Sequence, residues 1–197
     1  MARSPSFDTA FQQVLRAAQT GADWAFTRLY ESLAPAVVGY LRAQGADDPE
    51  GLTSDVFVKV FTASGSFAGS EAEFRSWVFT IARCRLIDAR RAKTRVDDAQ
   101  RLNRADLSDL HGTTTAAAED EVMARLAAER VAQLLGELTP GQRDVLSLRL
   151  VVGMSVDEVA AVLDKPPTAV KALQRRALAT LRRRLGVQTP CSISAVS

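Results

Sequence analysis

Cysteine and histidine, which are common in metal sites and active sites, are scarce in this sequence. Its 197 residues include two cysteines, Cys84 and Cys191, and a single histidine, His111. The cysteines are far apart without a CxxC spacing, and His111 has neither a nucleophile nor a metal ligand near it in the sequence. No glycine-rich phosphate loop follows a strand pattern. These absences argue against a metal site, a bound cofactor and an enzymatic function.

Long hydrophobic runs are also missing. No apolar stretch approaches the roughly 20 residues that a membrane helix needs, and the N-terminal residues lack the apolar core of a signal peptide. We therefore expect a cytoplasmic protein. Because 47% of the residues are hydrophobic, the chain has enough apolar side chains for one ordinary core or two small ones.

Charges of one sign are concentrated in blocks, although the formal net charge is only +2. Residues 75–95 contain seven basic side chains and one acid, and residues 165–184 contain seven basic side chains and no acid. Between them, residues 97–121 contain seven acids and two arginines. The small net charge is therefore a cancellation, and it conceals two basic segments that could face DNA.

Helical periodicity of apolar residues runs through most of the chain, and no segment shows a convincing strand pattern. A first helix is predicted to end at Gly21 with a left-handed cap, and Asp23 is predicted to cap a second helix. Pro35 is expected to break the second helix just before its own position. Asp48 and Pro49 form a start signal for a third helix, which ends before a loop rich in glycine and serine.

A fourth helix follows that loop. Its buried stripe is predicted to contain Phe74, Trp77, Val78, Ile81 and Ala82. Arg85 and Asp88 fall within this stripe by helical projection, where an unpaired charge is costly, so we expect them to form an ion pair. Phe67, Phe74 and Trp77 could stack on unpaired bases, although composition alone favours a place in the core.

The chain is predicted to contain two helical domains. Residues 94–118 lose the periodicity and gain Asp, Thr, Asn and Gly, which is typical of a solvated linker. The domains then cover residues 1–93 and 119–186, and a disordered tail covers residues 187–197. The predicted fold class is all-α, with two small domains joined by a flexible, polar, acidic linker.

The second domain ends in the pattern of a helix-turn-helix. A helix that starts at Thr139 and Pro140 is predicted to continue to Gly153, and Ser155 and Glu158 have the spacing of a capping box. A turn over residues 164–167 then precedes a basic helix predicted over residues 168–185. In such a motif the second helix contacts base edges in the major groove, and its cations contact phosphates.

The outward face of this last helix carries side chains suited to DNA. The face lies opposite Val170 and Leu173, and its Gln174 and Arg175 could form paired contacts to bases. The residues predicted to contact DNA here are Thr168, Lys171, Gln174, Arg175 and Arg176. The alternative is a solvated cationic face on an ordinary helical hairpin, but seven cations without an acid on a helix-turn-helix favour DNA.

The order of these elements resembles the extracytoplasmic-function branch of the bacterial sigma factors, the promoter-recognition subunits of RNA polymerase. Residues 55–60, DVFVKV, resemble the family's core-polymerase-binding helix, and residues 74–88, FRSWVFTIARCRLID, resemble its promoter-melting helix. Residues 138–146, LTPGQRDVL, residues 153–160, GMSVDEVA, and the pair Val170-Lys171 resemble its C-terminal helix-turn-helix.

This resemblance implies a role for each domain. The first would bind core RNA polymerase and open the −10 element of promoter DNA, with the loop 67–73 holding a flipped base, and the second would read the −35 element. An anti-sigma factor would hold the protein inactive. The implied −10 contacts are Phe67, Phe74, Trp77, Arg83, Arg90 and Arg91. The implied core-polymerase contacts are Asp55, Val56, Phe57, Lys59 and Val60.

Three positions depart from the family's pattern. Cys84 stands where asparagine is common, and Lys165-Pro166 replaces the usual turn of glycine and a hydrophobic residue. Ala172-Leu173 replaces a frequent Ser-Arg pair, which moves the expected −35 contacts to neighbouring positions on the helix.

Two other functions compete with the sigma-factor interpretation. The chain could be a stand-alone transcriptional regulator, whose first domain senses a signal or dimerises, or an adaptor that binds proteins through apolar grooves. The basic fourth helix favours a first domain that faces DNA and polymerase over one that holds a ligand pocket.

Overall fold

The protein consists of helices and their connections wherever its computed structural model describes it, over residues 5–103 and 133–185. Side chains are described for residues 10–96 and 133–185. The predicted all-α class is confirmed. No helix within the described ranges is long and apolar enough to cross a membrane.

The first domain contains helices α1, α2, α3 and α4, which span Pro5–Gln19, Asp23–Ala43, Pro49–Ala63 and Glu71–Asn103. A 3₁₀ turn over Ser64–Ser66 lies between α3 and α4. Gly21 has a φ of 86°, which confirms the left-handed cap after α1. The start signal of α3 is confirmed too, because the Asp48 carboxylate accepts a hydrogen bond from the Gly51 amide at 2.8 Å.

The break predicted at Pro35 does not occur, because α2 continues through it to Ala43. Proline removes one helical hydrogen bond, and its ring is exposed here, while buried residues on both sides, including Leu29 and Val37, hold the helix against the core. The cap was also misplaced by one residue. Ala22 is the N-cap, and Asp23 lies in the first turn, where its charge complements the helix dipole.

Helix α4 extends further than predicted. It includes residues 94–103, which the sequence assigned to the linker. Arginine, alanine, glutamine and leucine in this stretch have high helix propensity, so the helix can continue beyond the buried stripe. The loss of apolar periodicity at residue 94 therefore did not mark the end of the helix, although residues 94–96 are exposed.

The buried stripe of α4 is rotated from the predicted one. Phe74, Val78 and Ala82 are buried as predicted, and Phe79 and Leu86 are buried with them. Trp77 and Ile81 lie at the edge of the stripe and are half-buried. The predicted ion pair between Arg85 and Asp88 is wrong, because Asp88 is exposed on the rotated helix and the two charges do not meet.

The second domain contains a helical turn over residues 133–136 and helices α5, α6 and α7, which span Pro140–Leu146, Val156–Leu163 and Pro167–Arg184. The helix predicted from Thr139 to Gly153 changes to a π-helical turn over Ser147–Val151 after α5. Gly153 then adopts a φ of 75° and reverses the chain. The predicted linker after residue 103 and the start of the predicted second domain, up to residue 132, lie outside the described residues.

The two domains share one apolar core. Val145, Leu148 and Met154 of the second domain belong to the same buried cluster as Tyr40 and Phe79 of the first. The second domain packs on α2 and α4 through α5, the π-helical turn and α6. Periodicity within each helix could not reveal this contact, because it shows only which residues face away from water.

Candidate nucleic-acid interface

An aromatic cluster supports the loop between α3 and α4. The Phe74 ring lies 5.5 Å from the Phe11 ring, 5.2 Å from Phe67 and 5.6 Å from Trp77, measured between centroids. Phe74 is only 1% exposed, so it cannot stack on a base and its predicted −10 contact is corrected to a core role. Phe67 and Trp77 are half-buried, and their rings lie 5.2 Å apart.

Hydrogen bonds hold the backbone of this loop at several points. Gln12 Nε2 donates to the Gly69 carbonyl oxygen at 2.7 Å. Gln19 Nε2 donates to the carbonyl oxygens of Ser64 at 3.0 Å and Phe67 at 2.8 Å. Both glutamines belong to α1, so the N-terminal helix fixes the loop.

A capping box at the start of α4 fixes the other end of the loop. The Glu73 carboxylate accepts hydrogen bonds from the Ser70 amide at 2.7 Å and the Ser70 hydroxyl at 2.8 Å. These bonds, the amide first, lower the pKa of the Glu73 carboxyl because they stabilise its charged form.

The three arginines predicted to follow the DNA strand have different surroundings. Arg83 Nε donates to the Asp144 carboxylate of α5 at 3.1 Å, and the Arg90 guanidinium donates to the Gln44 carbonyl oxygen at the end of α2. Arg91 is exposed, and no ion pair to it occurs among the described residues. Arg90 is exposed as well, so Arg91 differs from the other two in having no hydrogen-bonded partner among the described residues.

Asp144 is the polar centre of the contact between the domains. Its carboxylate accepts the bond from Arg83 and a longer one, at 3.4 Å, from the hydroxyl of Tyr40 on α2. Gln44 and Ser147 form a second bridge, with a distance of 3.3 Å between Nε2 and Oγ. Burial raises the pKa of the Tyr40 phenol well above its usual value, and the Asp144 charge raises it further.

Tyr40→Phe is expected to reduce the loss of stability at alkaline pH. A phenol with a raised pKa in the folded protein contributes its full stabilisation below the unfolded value of about 10. That contribution declines as the pH rises above 10, because the unfolded chain then releases the proton first. Urea denaturation from pH 8 to pH 11 should show a steeper decline for the wild type than for the variant, and parallel curves would contradict this role of Tyr40.

The second domain covers part of the basic face of α4. The Arg75 guanidinium donates to the Val152 carbonyl oxygen after the π-helical turn. Trp77 lines a groove of about 400 Å³ whose opposite wall contains Asp157 and Glu158 of α6. Acidic side chains of the second domain thus lie beside α4 residues that the sequence assigned to the −10 element.

Only part of the predicted core-polymerase site is accessible. Val56, Phe57 and Val60 are buried in the first domain's core, so their predicted direct contacts are corrected to packing roles. Asp55 and Lys59 are exposed on the outer face of α3. Val58 lies between them and is 64% exposed, although it was not among the predicted contacts.

The helix-turn-helix has the local geometry that the sequence predicts. The Ser155 amide donates to the Glu158 carboxylate at 2.7 Å, and the Glu158 amide donates to the Ser155 hydroxyl at 3.1 Å, which confirms the capping box at the start of α6. Asp164 ends α6 in a left-handed conformation with a φ of 51°. Pro167 is the first residue of α7, one residue before the predicted start.

Helix α7 is anchored by one face and exposes the other. Val170 and Ala177 are fully buried, and Thr168, Lys171, Arg175 and Arg176 are exposed. Gln174 is half-buried at the edge of the exposed face. The structure therefore brings the predicted −35 residues together on one accessible surface, which we name the α7 face: Thr168, Lys171, Gln174, Arg175 and Arg176.

Sequence reasoning missed the residues that connect elements distant in the chain. Asp144 lies within the helix predicted from Thr139 to Gly153, and nothing in its sequence neighbourhood indicates Arg83 as a partner. Gln12 and Gln19 are seven residues apart and therefore share a face of α1, but glutamines with this spacing commonly face solvent. Only the tertiary contact distinguishes them.

These features define an all-helical DNA-binding protein with a C-terminal helix-turn-helix and a basic helix in its first domain. Two family models match the sequence, Sigma-70 region 2 over residues 29–96 and Sigma-70, region 4 over residues 128–181. The chain belongs to the sigma factors of RNA polymerase, in the extracytoplasmic-function branch. The family expectation drawn from its motifs is confirmed.

Individual relatives agree with this assignment. The chain is 31% identical over 191 residues to the extracytoplasmic-function RNA polymerase sigma factor BldN of Streptomyces coelicolor, a match that covers 93% of this chain and 70% of BldN. It is 32% identical over 183 residues to RNA polymerase sigma factor NccH of Alcaligenes xylosoxydans xylosoxydans, covering 90% and 94% of the two chains. Sigma factors are transcription initiation factors and as a class are not enzymes.

Solved structures share the fold. CnrH, solved in complex with the cytosolic domain of CnrY, matches with a TM-score of 0.67 and 28% identity, covering 91% of this chain and 99% of CnrH. RpoE, solved in complex with the anti-sigma factor NepR from Bartonella quintana, has the same fold at 19% identity, with a TM-score of 0.56 and coverage of 94% and 100%.

Proposed function

We propose that this sigma factor binds core RNA polymerase through its first domain, opens the −10 element with α4 and the loop between α3 and α4, residues 64–70, and reads the −35 element with the α7 face. The predicted base-holding segment, residues 67–73, covers the end of this loop and the first turn of α4. The main support for promoter reading is α7 itself. It carries six basic residues and no acid, and it follows a capped α6 across a tight turn. This arrangement fits a major groove and its flanking phosphates.

The division of labour follows the two domains. We propose that the first domain ends with α4 at Asn103 and is followed by the linker. The second domain then extends from about residue 119 to residue 186. Within the first domain, Asp55, Val58 and Lys59 form an exposed strip of α3 that is suited to contact the polymerase. Phe67, Trp77, Arg90 and Arg91 are the members of the predicted −10 set that are exposed or half-buried at the surface, and Arg83 joins them when Asp144 releases it.

Promoter opening requires the second domain to leave α4. In the closed arrangement Arg83 bonds Asp144, and Trp77 lies beside the acidic residues of α6. A DNA strand that follows α4 needs the same positive and aromatic groups, so the two cannot be bound at once. Core polymerase bound to the first domain, together with promoter DNA bound to both domains, would hold the domains apart.

A protein inhibitor that stabilises the closed arrangement fits this scheme. CnrH is solved with the cytosolic domain of CnrY, and we propose that an anti-sigma factor holds this chain in the same way. We further propose that the chain acts in the cytoplasm, that it requires no cofactor or metal, and that catalysis belongs entirely to the polymerase.

Run-off transcription tests the proposed function directly. Purified core polymerase would be combined with this protein on a pool of genomic promoter fragments. Discrete transcripts that require the protein are expected. A protein that retains duplex DNA, yet neither binds core polymerase nor yields transcripts, would instead be a stand-alone regulator.

Arg175→Ala is expected to lower transcription from such a promoter about tenfold, since one paired arginine contact to a guanine contributes about 1–3 kcal/mol. Its effect should be largest for one −35 base pair and should relax the preference there. Arg16→Ala is the matched control, because Arg16 is an exposed arginine at the end of α1. An equal loss of transcription in the two variants would show that Arg175 does not contact the promoter.

A further inference from the structure

The loop 64–70 is irregular, yet its backbone is tightly constrained. Carbonyl oxygens in such a segment lack the partners that a helix or sheet supplies and are usually solvated. Here the carbonyl oxygens at three positions, Ser64, Phe67 and Gly69, accept hydrogen bonds from side chains of α1. The bonds are distributed over the start, the middle and the end of the loop.

Gln19 contributes two of these bonds from a single amide group. A glutamine amide has two N–H donors, and Gln19 directs them to the carbonyl oxygens of Ser64 and Phe67 at 3.0 and 2.8 Å. Gln12, two helical turns earlier, bonds Gly69 at 2.7 Å. The bonded residues are 45 to 57 positions apart in the sequence, so these hydrogen bonds depend on the tertiary structure.

The side chains of the loop are fixed along with its backbone. The Phe67 ring packs on Phe74 and Trp77, so its position depends on where Gln19 holds the Phe67 carbonyl. At Gly69 an added Cβ would lie 3.1 Å from the Phe67 ring and 3.0 Å from the Glu73 carboxylate, which leaves little room for a side chain. The loop therefore has a defined shape that depends on α1.

We propose that Gln12 and Gln19 are positioning residues for −10 recognition: they hold the loop 64–70 in the shape that accepts a flipped promoter base. This inference depends on the proposed function, because it assigns the two glutamines to the site that discriminates the −10 sequence. Neither residue lies in the segment that matches the region 2 family model, residues 29–96. Both act through the loop and need not contact DNA.

The test compares promoter discrimination with overall activity. Run-off rates would be measured on a promoter and on a set with each −10 position changed to each other base, and the ratio of rates gives the discrimination at each position. The double variant Gln12→Ala with Gln19→Ala is expected to reduce the ratio at the flipped position about tenfold, with ratios at −35 positions unchanged.

Gln13→Ala is the matched control. Gln13 is the neighbouring glutamine on the same helix and is exposed, so its loss should leave every ratio unchanged. Gln19→Glu is expected to reduce discrimination more than Gln19→Ala, since a carboxylate has no N–H to donate and would repel the two carbonyl oxygens. If the double variant does not fold by circular dichroism, Gln12→Ala alone removes one bond and carries the same prediction with a smaller change.

The outcomes separate a positioning role from a structural one. A purely structural role would lower the rate on all promoters by one common factor and leave the ratios intact, which would overturn the proposal. Loss of discrimination in Gln13→Ala would overturn it as well. A wild-type protein that yields no transcript with core polymerase would instead refute the proposed function on which the inference depends.

Discussion

Replacing Phe74 by alanine is expected to lower the free energy of unfolding by about 3–5 kcal/mol, the largest effect of any substitution considered for this protein. Phe74 is 1% exposed and contacts Phe11, Phe67 and Trp77, so truncation would leave a cavity where α1, α4 and the loop 64–70 meet. Urea denaturation at neutral pH measures the loss directly.

The same substitution distinguishes packing from base contact. A base-stacking role for Phe74 predicts normal stability and a specific defect in promoter opening. The core role predicts a large loss of stability, and Phe74→Leu should recover most of it because the leucine keeps much of the buried volume. A stable Phe74→Ala protein with a selective −10 defect would show that Phe74 contacts promoter DNA in the active protein.

Asp144→Ala is expected to separate the two domains. The Asp144 side chain is 13% exposed and the Arg83 side chain 33% exposed, so removal of the carboxylate leaves a partly buried guanidinium without its partner. Loss of one partner of a buried pair costs about 3–5 kcal/mol, and the partial exposure of Arg83 reduces the expected cost to about 1–3 kcal/mol. Because the pair joins the domains, this cost falls on their association.

Small-angle X-ray scattering of the free protein measures the separation as an increase in the radius of gyration. Glu137→Ala is the control, because the pair of Glu137 with Arg184 has similar geometry but side chains 41% and 65% exposed. Its loss should change stability by less than about 1 kcal/mol and leave the scattering unchanged. A double-mutant cycle with Arg83→Ala would isolate the energy of the Arg83–Asp144 pair.

The Asp144 variant also tests whether the domains must separate for function. If binding to core polymerase requires an open protein, Asp144→Ala should bind the polymerase more tightly than the wild type, since the cost of opening is lower. Equal or weaker binding, with the domains demonstrably separated, would show that the closed arrangement does not compete with the polymerase.

Local signals predicted the helix-turn-helix well. The capping box at Ser155, the turn after α6 and the burial of Val170 depend on residues close together in the sequence, and each was found where the pattern placed it. Leu173 is only half-buried, and α7 begins one residue earlier than predicted. The same holds for the cap at Asp48 and the turn at Gly21. Hydrogen bonds over three or four residues and backbone preferences of glycine and proline determine these features.

Family motifs were less reliable for individual roles. The motif of residues 55–60 lies on α3, and three of its five predicted polymerase contacts are buried, because a conspicuous apolar residue in an amphipathic helix usually belongs to the core. Phe74 was misassigned for the same reason. The buried stripe of α4 is rotated from the predicted one, so that Asp88 is exposed and does not pair with Arg85.

The sequence by itself determined the helices, the helix-turn-helix, the basic segments and the family, because all of these depend on short-range patterns that survive without knowledge of packing. The tertiary structure alone decided that α2 passes through Pro35, that α1 fixes the loop 64–70, and that the second domain covers α4 through Arg83, Asp144 and Tyr40. These contacts join residues 45 to 104 positions apart. Their energies come from burial and hydrogen bonding between faces that no local periodicity can pair.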